Sequence, residues 1–418
     1  MSGVDDPVPV CDIGPAGPCG PRDFSCPESE VQPDLSRLQS LPPYLFSSLD
    51  AAKAKARAAG VDVVDLGIGD PDLPTPPSLL DAMAAAVRNP SHHRYPAQRG
   101  GALLRSAIAD YMARRHGVTV DPSGEVLVLL GSKEGLGHLP LALLEEGDVA
   151  LVPDLGYPVY AQGTLLAGGE PRTFGLKPEN GFLPDLSTLP GLFDERVRLV
   201  FMNYPNNPTG AVATPAFWSA AAELCGEAGA VLVNDAAYLE VTLDGSRPVS
   251  MLASADHRTR RVIELHSLSK MFNMTGWRVA FAVGNAGVIA DLGRVKESMD
   301  SGVFGAIQET AALALGPDCE SLLAGVMAPY AVRRDVILAA LADAGFEVFP
   351  SPATFYVWVR VPAGEGSVAF CSRALEEIGL VITPGVGFGP GGEGWFRISL
   401  TAPDERIAEG ARRLKEWR

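Results

Sequence analysis

The sequence predicts an α/β protein with a parallel sheet covered by helices on both faces and a second, smaller α/β domain. Between about residues 100 and 285, short apolar runs rich in β-branched residues alternate with helical patterns, which is typical of such a sheet. After a long helical stretch at about 286–343, strand-like runs interleave with helices again. The 418 residues suffice for two or three domains with a buried core.

The individual elements follow in order along the chain. A helix is predicted over 44–59, and the run at 61–70 predicts a strand that continues into a Gly-Pro loop. The strands of the large sheet are EVLVLL (125–130), DVALVP (148–153), RLVFMN (198–203), AVLVND (230–235), RVIELHS (261–267) and WRVAFAV (277–283). The smaller domain would contain FEVFPSP, TFYVWVRV, LVITPG and WFRISL. We expect its strands to pair with the segment 34–75.

These patterns divide the chain into four segments. Residues 1–33 are rich in Pro, Gly and acidic residues and are expected to be a disordered extension. Residues 34–75 would be an arm that joins the small domain, and residues 76–300 would form the large domain. Residues 301–418 would supply a connecting helix and the small domain.

The composition restricts the partners. Lys and Arg number 34 against 50 Asp and Glu, and the net charge of -16 disfavours nucleic acid or an anionic membrane as a partner. No run approaches the roughly 20 apolar residues of a membrane span, and the first ten residues do not look like a secretory signal, so a cytoplasmic location is predicted. Six cysteines without paired close spacing predict neither disulfides nor a metal site.

The first chemical signal is HSLSKMFNMTGWR (266–278), at the end of a predicted strand, where ligands of such sheets bind. Lys270 lies between hydroxyl groups, and Arg278 follows eight positions later. An aldehyde cofactor needs an amine that can lose its proton near neutral pH, and the hydroxyls and the arginine can hold a phosphate. Taken alone, the motif is equally compatible with a solvated loop.

The second signal is NDAAY (234–238), in which Asp235 closes a predicted strand and Tyr238 follows. A carboxylate there can pair with a protonated pyridine nitrogen and make the ring an electron sink, while a tyrosine hydroxyl can bond the phenolic oxygen of the ring. The alternative is an aspartate that merely caps a helix.

Three further motifs also follow strands. NYPNNPTG contains Asn207 in a run of turn-forming residues, and LLGSKEG places Gly and Ser at a helix start that suits a phosphate. PDLGYPVY contains Tyr157, which can stack on a planar ring. A turn, a helix cap and a core tyrosine are the respective alternatives.

The last motif is EGWFRISL, with Arg397 inside an otherwise apolar strand. A buried arginine needs an anionic partner, and the α-carboxylate of an amino acid, held by both arms of the guanidinium, would serve. The alternative is a structural ion pair.

The order and spacing of these motifs resemble the class I/II aminotransferases of the fold-type-I pyridoxal-phosphate family, and within it the LL-diaminopimelate aminotransferase group. The resemblance extends from about Leu35 to the C-terminus and is carried by LPPYLF, DLGIGDPDLPTP, YPNNPTG, HSLSK, NMTGWR and TPGVGFGPGGEGWFRISL. It implies a large, cofactor-binding domain with a mixed, mostly parallel seven-stranded sheet between helices, plus a smaller α/β domain.

The resemblance also implies roles for the matched residues in binding pyridoxal 5′-phosphate. Lys270 would form the internal aldimine and then move the proton of the substrate α-carbon. Tyr157 would stack on the ring, Asp235 would pair with its nitrogen, and Asn207 and Tyr238 would bond its phenolic oxygen. The residues expected at the phosphate are Ser132, Lys133, Ser267, Ser269, Arg278 and, from a neighbouring subunit, Tyr95. The protein would then be a homodimer with shared active sites.

For the substrate, the resemblance implies that Arg397 and the backbone near Gly69 hold the α-carboxylate, with Tyr44 close to the side-chain pocket. The expected substrate-binding set is Tyr44, Gly69, Lys133, Tyr157, Asn207 and Arg397.

Transamination is the predicted function: an amino group would move from an amino acid to the cofactor and then to a 2-oxo acid such as 2-oxoglutarate. One alternative is a relative that performs β- or γ-elimination, replacement or cyclisation in a specialised pathway, because these reactions begin with the same proton abstraction. Another is a regulator that keeps the fold as an effector sensor. It would need a DNA-binding domain, for which the leader is too short and too rich in Pro and Gly.

Overall fold

The computed structural model describes residues 45–417, together with Gln39 and Leu41. Its strands are β1 Val64–Asp65, β2 Val126–Leu129, β3 Val149–Pro153, β4 Glu170–Phe174, β5 Val197–Met202, β6 Val231–Asp235, β7 Val262–Ser267, β8 Ala280–Gly284, β9 Tyr356–Arg360, β10 Leu380–Val381, β11 Thr383–Pro384 and β12 Trp395–Ser399. Its α-helices are α1 Leu45–Ala58, α2 Pro77–Ala86, α3 Ala102–Tyr111, α4 Ser132–Leu143, α5 Val159–Leu166, α6 Pro215–Glu227, α7 Leu268–Met271, α8 Ala286–Met299, α9 Gly305–Ala314, α10 Cys319–Asp343, α11 Ser367–Ile378 and α12 Asp404–Glu416.

The large sheet has seven strands in the order β2-β8-β7-β6-β5-β3-β4. Strand β8 is antiparallel to both of its neighbours, and the other strand pairs are parallel. Alternate residues of each inner strand enter two separate apolar cores: Leu199 packs with α4, α5 and α8 on one face, and Val200 packs with α3 and α6 on the other. This arrangement confirms the predicted fold class, a mixed and mostly parallel sheet between helices.

A third apolar core is built around the antiparallel sheet β11-β12-β9. The arm enters it as predicted, because β1 pairs in parallel with β10 through Val64 and Leu380. The run FEVFPSP was predicted to be a strand, and this prediction is wrong: it contributes only an isolated bridge from Val348 to Val359. Prolines follow that bridge and lack the N–H that a ladder needs. The domain boundaries stay predictions.

The predicted N-terminal helix is confirmed as α1, whereas residues 1–33 and Tyr44 lie outside the described residues. The stretch 286–343 consists of three helices, α8, α9 and α10. Among the described helices none is by itself long and apolar enough to span a membrane, although the pair α9 and α10, bent by 90°, meets the length and composition criteria together. The cytoplasmic location stays a prediction.

Leu199 tests the importance of the double-sided core. Its side chain is fully buried at the centre of the sheet, so Leu199→Ala should lower the free energy of unfolding by about 2–5 kcal/mol. The neighbouring Arg198 is exposed, and Arg198→Ala should change it by less than about 1 kcal/mol. Urea denaturation of both variants measures the difference, and equal effects would contradict the packing described.

Candidate active site

A cleft of about 680 Å³ opens where β5, β6 and β7 end. Most of the predicted site residues line it: Gly69, Ser132, Lys133, Tyr157, Asn207, Asp235, Tyr238, Ser267, Ser269, Lys270, Arg278 and Arg397. Tyr95 does not line this cleft, and its side chain is 91% exposed. Because the carboxyl ends of neighbouring parallel strands meet at one edge of a sheet, motifs that are far apart in sequence come together here.

Lys270 lies in the short helix α7, directly after β7. The hydroxyl of Ser267 caps this helix by accepting a hydrogen bond from the amide of Ser269 (3.3 Å). The Lys270 ammonium donates to the carbonyl of Gly69 at 3.2 Å. Burial lowers the pKa of Lys270 to about 8, and the negative charge of Asp70 opposes part of this shift. The neutral amine is therefore accessible near neutral pH, as a nucleophilic or basic lysine requires.

Asp235 is the last residue of β6, and its carboxylate is buried. It accepts hydrogen bonds from the hydroxyl of Tyr160 (2.8 Å) and from the amide of Ala237 (3.3 Å). Burial raises the pKa of Asp235 to about 6, although these hydrogen bonds and the charge of Lys270 pull it down. At pH 7 the group is mainly a carboxylate, able to pair with a cationic ring nitrogen.

Tyr238 and Asn207 face the cleft from two loops. The hydroxyl of Tyr238 lies 2.9 Å from that of Tyr356. Burial raises the pKa of Tyr238 well above its usual value, so the group remains a hydrogen-bond donor. The main-chain N–H of Asn207 donates to the side-chain oxygen of Asn203 (2.8 Å). The side-chain oxygen of Asn207 accepts from Arg397 (2.9 Å).

One end of the cleft is suited to an anion. Helix α4 begins there with Ser132 and Lys133, after Gly131 with φ +88°. A Cβ at Gly131 would lie 2.0 Å from the Arg278 guanidinium, so only glycine allows that close approach. The guanidinium is held by the carbonyls of Thr275 (2.7 Å) and Leu130 (3.4 Å). Free N–H groups of a helix start, an arginine and serine hydroxyls together are the donors that a phosphate needs.

The other end of the cleft holds Arg397, which is only 2% exposed. Its guanidinium donates to Asn207 and, at 2.8 Å, to the carbonyl of Gly67. Among the described residues, its Nε has no hydrogen-bond partner and no carboxylate lies within 4.0 Å of the guanidinium. The rings of Tyr356 and Phe388 lie 4.0 and 4.6 Å from Cζ. A buried guanidinium without a counter-ion can accept a carboxylate, and the alternative of a structural ion pair is not supported within the described chain.

The sequence did not point to several residues of the cleft, notably Asp70, Thr275, Tyr356 and, behind Asp235, Tyr160. Tyr356 and Tyr160 sit in regular elements with an apolar pattern, which normally indicates core positions. Only the spacing of Tyr160, three residues after Tyr157, gave a weak signal.

A second polar cluster lies between helix α4 and the end of helix α8. Glu134, His138 and Asp300 bring three potential metal ligands within 4.8 Å of one another. The buried ammonium of Lys296 lies among them, 2.7 Å from Asp300 and 3.3 Å from Glu134. The ammonium of Lys296 already lies where a cation would bind, and it offsets one of the two negative charges.

Comparison with known proteins agrees with this geometry. A family model described as aminotransferase class I and II matches residues 61–414. The chain therefore belongs to the class I and II aminotransferases, enzymes that move an amino group between an amino acid and a 2-oxo acid. The predicted family, transferase activity and fold are confirmed.

Similar proteins include two that are named LL-diaminopimelate aminotransferase. That of Desulforudis audaxviator is 48% identical over 383 residues, 91% of this chain and 97% of the relative. That of Aquifex aeolicus is 45% identical over 379 residues, again 91% and 97%. The solved structure of substrate-bound BacF from Bacillus subtilis is 39% identical, covers 93% of this chain and 98% of its own, and superposes with a TM-score of 0.85.

The lowered pKa of Lys270 can be measured on enzyme freed of cofactor. Its reaction with an amine-specific reagent should reach half its maximal rate near pH 8, because the amine reacts only when deprotonated. Asp70→Asn should move this midpoint to lower pH, since the carboxylate of Asp70 favours the protonated form. Labelled peptides identify the residue, with Lys270→Ala as the control. A midpoint near pH 10.5 would contradict the burial of this amine.

Proposed function

We propose that this aminotransferase binds pyridoxal 5′-phosphate through Lys270 and transfers an amino group from LL-diaminopimelate to a 2-oxo acid such as 2-oxoglutarate. The observation that carries the proposal is the presence in one cleft of an enclosed lysine, a buried carboxylate and a buried arginine that no carboxylate of residues 50–417 pairs with. The donor is proposed from the relatives of that name, which are 45–48% identical over most of the chain.

The side chains of the cleft fit this cofactor. The start of helix α4, Ser267, Ser269 and Arg278 would hold the phosphate, and Asp235 would face the ring nitrogen. Tyr157 lines the same cleft and would stack on the ring, while Asn207 and Tyr238 would reach its phenolic oxygen. When bound, the cofactor withdraws electrons from the α-carbon of the amino acid and so weakens its bond to hydrogen.

The protein supplies orientation and proton transfer. Arg397 would hold the α-carboxylate with both arms of its guanidinium and thereby fix the α-carbon beside Lys270. Lys270, whose amine is neutral once the substrate has displaced it, would take the proton from that carbon. Asp235 would keep a positive charge on the ring nitrogen, because its carboxylate is ionised at neutral pH and shielded from water.

The homodimer with shared active sites is part of the same proposal. Tyr95 would reach the phosphate site of a neighbouring subunit. Its side chain is 91% exposed in the single chain and is therefore accessible to a partner. Residues 76–300 would then be the cofactor-binding domain.

Lys270→Ala should abolish turnover and remove the visible absorbance that the cofactor gains on bonding to this amine. In the unaltered enzyme, LL-diaminopimelate without an acceptor should convert that absorbance to the amine form of the cofactor, and 2-oxoglutarate should restore it. Stopped-flow absorbance measures both steps.

Lys177 provides the control, since it lies outside the cleft, and Lys177→Ala should keep both absorbance changes. An active Lys270→Ala enzyme would contradict the role of the lysine. Conversion by other amino acids, with none by LL-diaminopimelate, would contradict only the proposed donor.

Arg397→Lys keeps the positive charge but loses the planar fork. The kcat/KM for the amino acid should therefore fall by the equivalent of about 2–4 kcal/mol, with the cofactor absorbance unchanged. Arg360 lies exposed on the adjacent strand β9, and Arg360→Lys should keep normal kinetics. Loss of cofactor from the Arg397 variant would show that the carboxylate is held elsewhere.

A further inference from the structure

Tyr356 occupies a central place in the cleft, although no chemical motif of the sequence includes it. It begins strand β9, and its side chain is buried. Its hydroxyl lies 2.9 Å from the hydroxyl of Tyr238 and 3.5 Å from the carbonyl of Gly69. That same carbonyl accepts the hydrogen bond of Lys270 at 3.2 Å. The hydroxyl therefore contacts the groups that surround the reacting lysine.

The loop after β1, which contains Gly69, has the shape that this hydroxyl requires. A Cβ at Gly69 would lie 2.1 Å from the hydroxyl oxygen and 2.8 Å from the ring carbon that carries it. Any larger residue at position 69 would displace the tyrosine. Glycine at this position thus leaves the space that the hydroxyl of Tyr356 occupies.

The ring of Tyr356 makes a different contact. Its centroid lies 4.0 Å from Cζ of Arg397, and Phe388 contributes a second ring at 4.6 Å. Aromatic faces attract a guanidinium, and they attract it more strongly when water is excluded. The ring of Tyr356 thus makes a cation–π contact with Arg397, while its hydroxyl forms a hydrogen bond with that of Tyr238.

A hydroxyl has one hydrogen to donate, which fixes the direction of the tyrosine pair. If Tyr238 donates its hydrogen to the phenolic oxygen of the cofactor, Tyr356 must be the donor in the 2.9 Å hydrogen bond between the two tyrosines. Hydrogen bonds in such a chain polarise one another, so the bond to the cofactor becomes stronger.

We propose that Tyr356 is a positioning residue with two separable effects: its hydroxyl strengthens the hydrogen bond that Tyr238 donates to the cofactor, and its ring fixes the guanidinium that holds the substrate carboxylate. The first effect rests on the proposed contact between Tyr238 and the cofactor. A stronger hydrogen bond to the phenolic oxygen would stabilise the negative charge on that oxygen. It would thereby lower the pKa of the nitrogen that joins Lys270 to the cofactor.

Tyr356→Phe removes the hydroxyl and keeps the ring. In the complete enzyme, the pH midpoint of the cofactor absorbance should rise by about 0.3–0.5 units, with little change in KM. Phe388→Leu is the matched variant, because it removes a ring from the same guanidinium without touching a hydroxyl. It should raise KM for the amino acid by about 3- to 30-fold and leave the pH midpoint unchanged.

A double variant decides whether Tyr356 acts through Tyr238. Once Tyr238→Phe is present, adding Tyr356→Phe should not move the midpoint further. An unchanged midpoint in Tyr356→Phe, or a shift that persists without the hydroxyl of Tyr238, would overturn the inference. Neither result affects the proposed function, which is tested separately by the activity and absorbance of Lys270→Ala and by the conversion of LL-diaminopimelate.

Discussion

The cleft contains buried charged side chains that no oppositely charged side chain of the described protein neutralises. Lys270, Asp235 and Arg397 are all largely buried, and none of them takes part in a salt bridge within the described chain. Burial is therefore the largest cause that moves the pKa values of Lys270 and Asp235 towards neutrality, from opposite sides. Such an arrangement destabilises the folded protein and is retained where chemistry requires it.

Elsewhere in the described interior, buried charged side chains have ion-pair or hydrogen-bond partners. Arg333 is buried but bonds Asp72 and Asp404, each at 2.7 Å. Glu264 is fully buried and accepts hydrogen bonds from Ser250 (2.6 Å) and Asn234 (3.0 Å). The contrast with the cleft is physical: compensated charges hold the fold together, whereas the uncompensated ones are available to a ligand.

The elements predicted from the sequence are those whose signal is local. Six of the seven strands of the large sheet were recognisable because apolar, β-branched runs buried on both faces need no information from the rest of the chain. Strand β4 was missed because its run EPRTF is polar and contains a proline, which an edge strand tolerates. The reversed direction of β8, which is antiparallel to both of its neighbours, depends on how the chain returns to the sheet, and periodicity does not encode that.

The same distinction applies to the cleft. Lys270, Asp235 and Arg397 stand out in the sequence because a charge within or beside an apolar strand is unusual. Tyr356 does not stand out, because a tyrosine in an apolar strand is usual in a protein core. Its importance comes from Gly69 and Tyr238, which lie 287 and 118 residues away in the sequence.

The pairing of β1 with β10 has a consequence for biosynthesis. The carbonyl of Gly67 is bonded by Thr383 and Arg397, which are 316 and 330 residues further along the chain. During translation, Val64 and Leu66 lack their partners until residues 379–399 have been synthesised, although both are fully or almost fully buried in the folded protein. Throughout that interval aggregation competes with folding. The end of the cleft that contains Gly67 and Arg397 is therefore completed only after every strand of the large sheet has been synthesised.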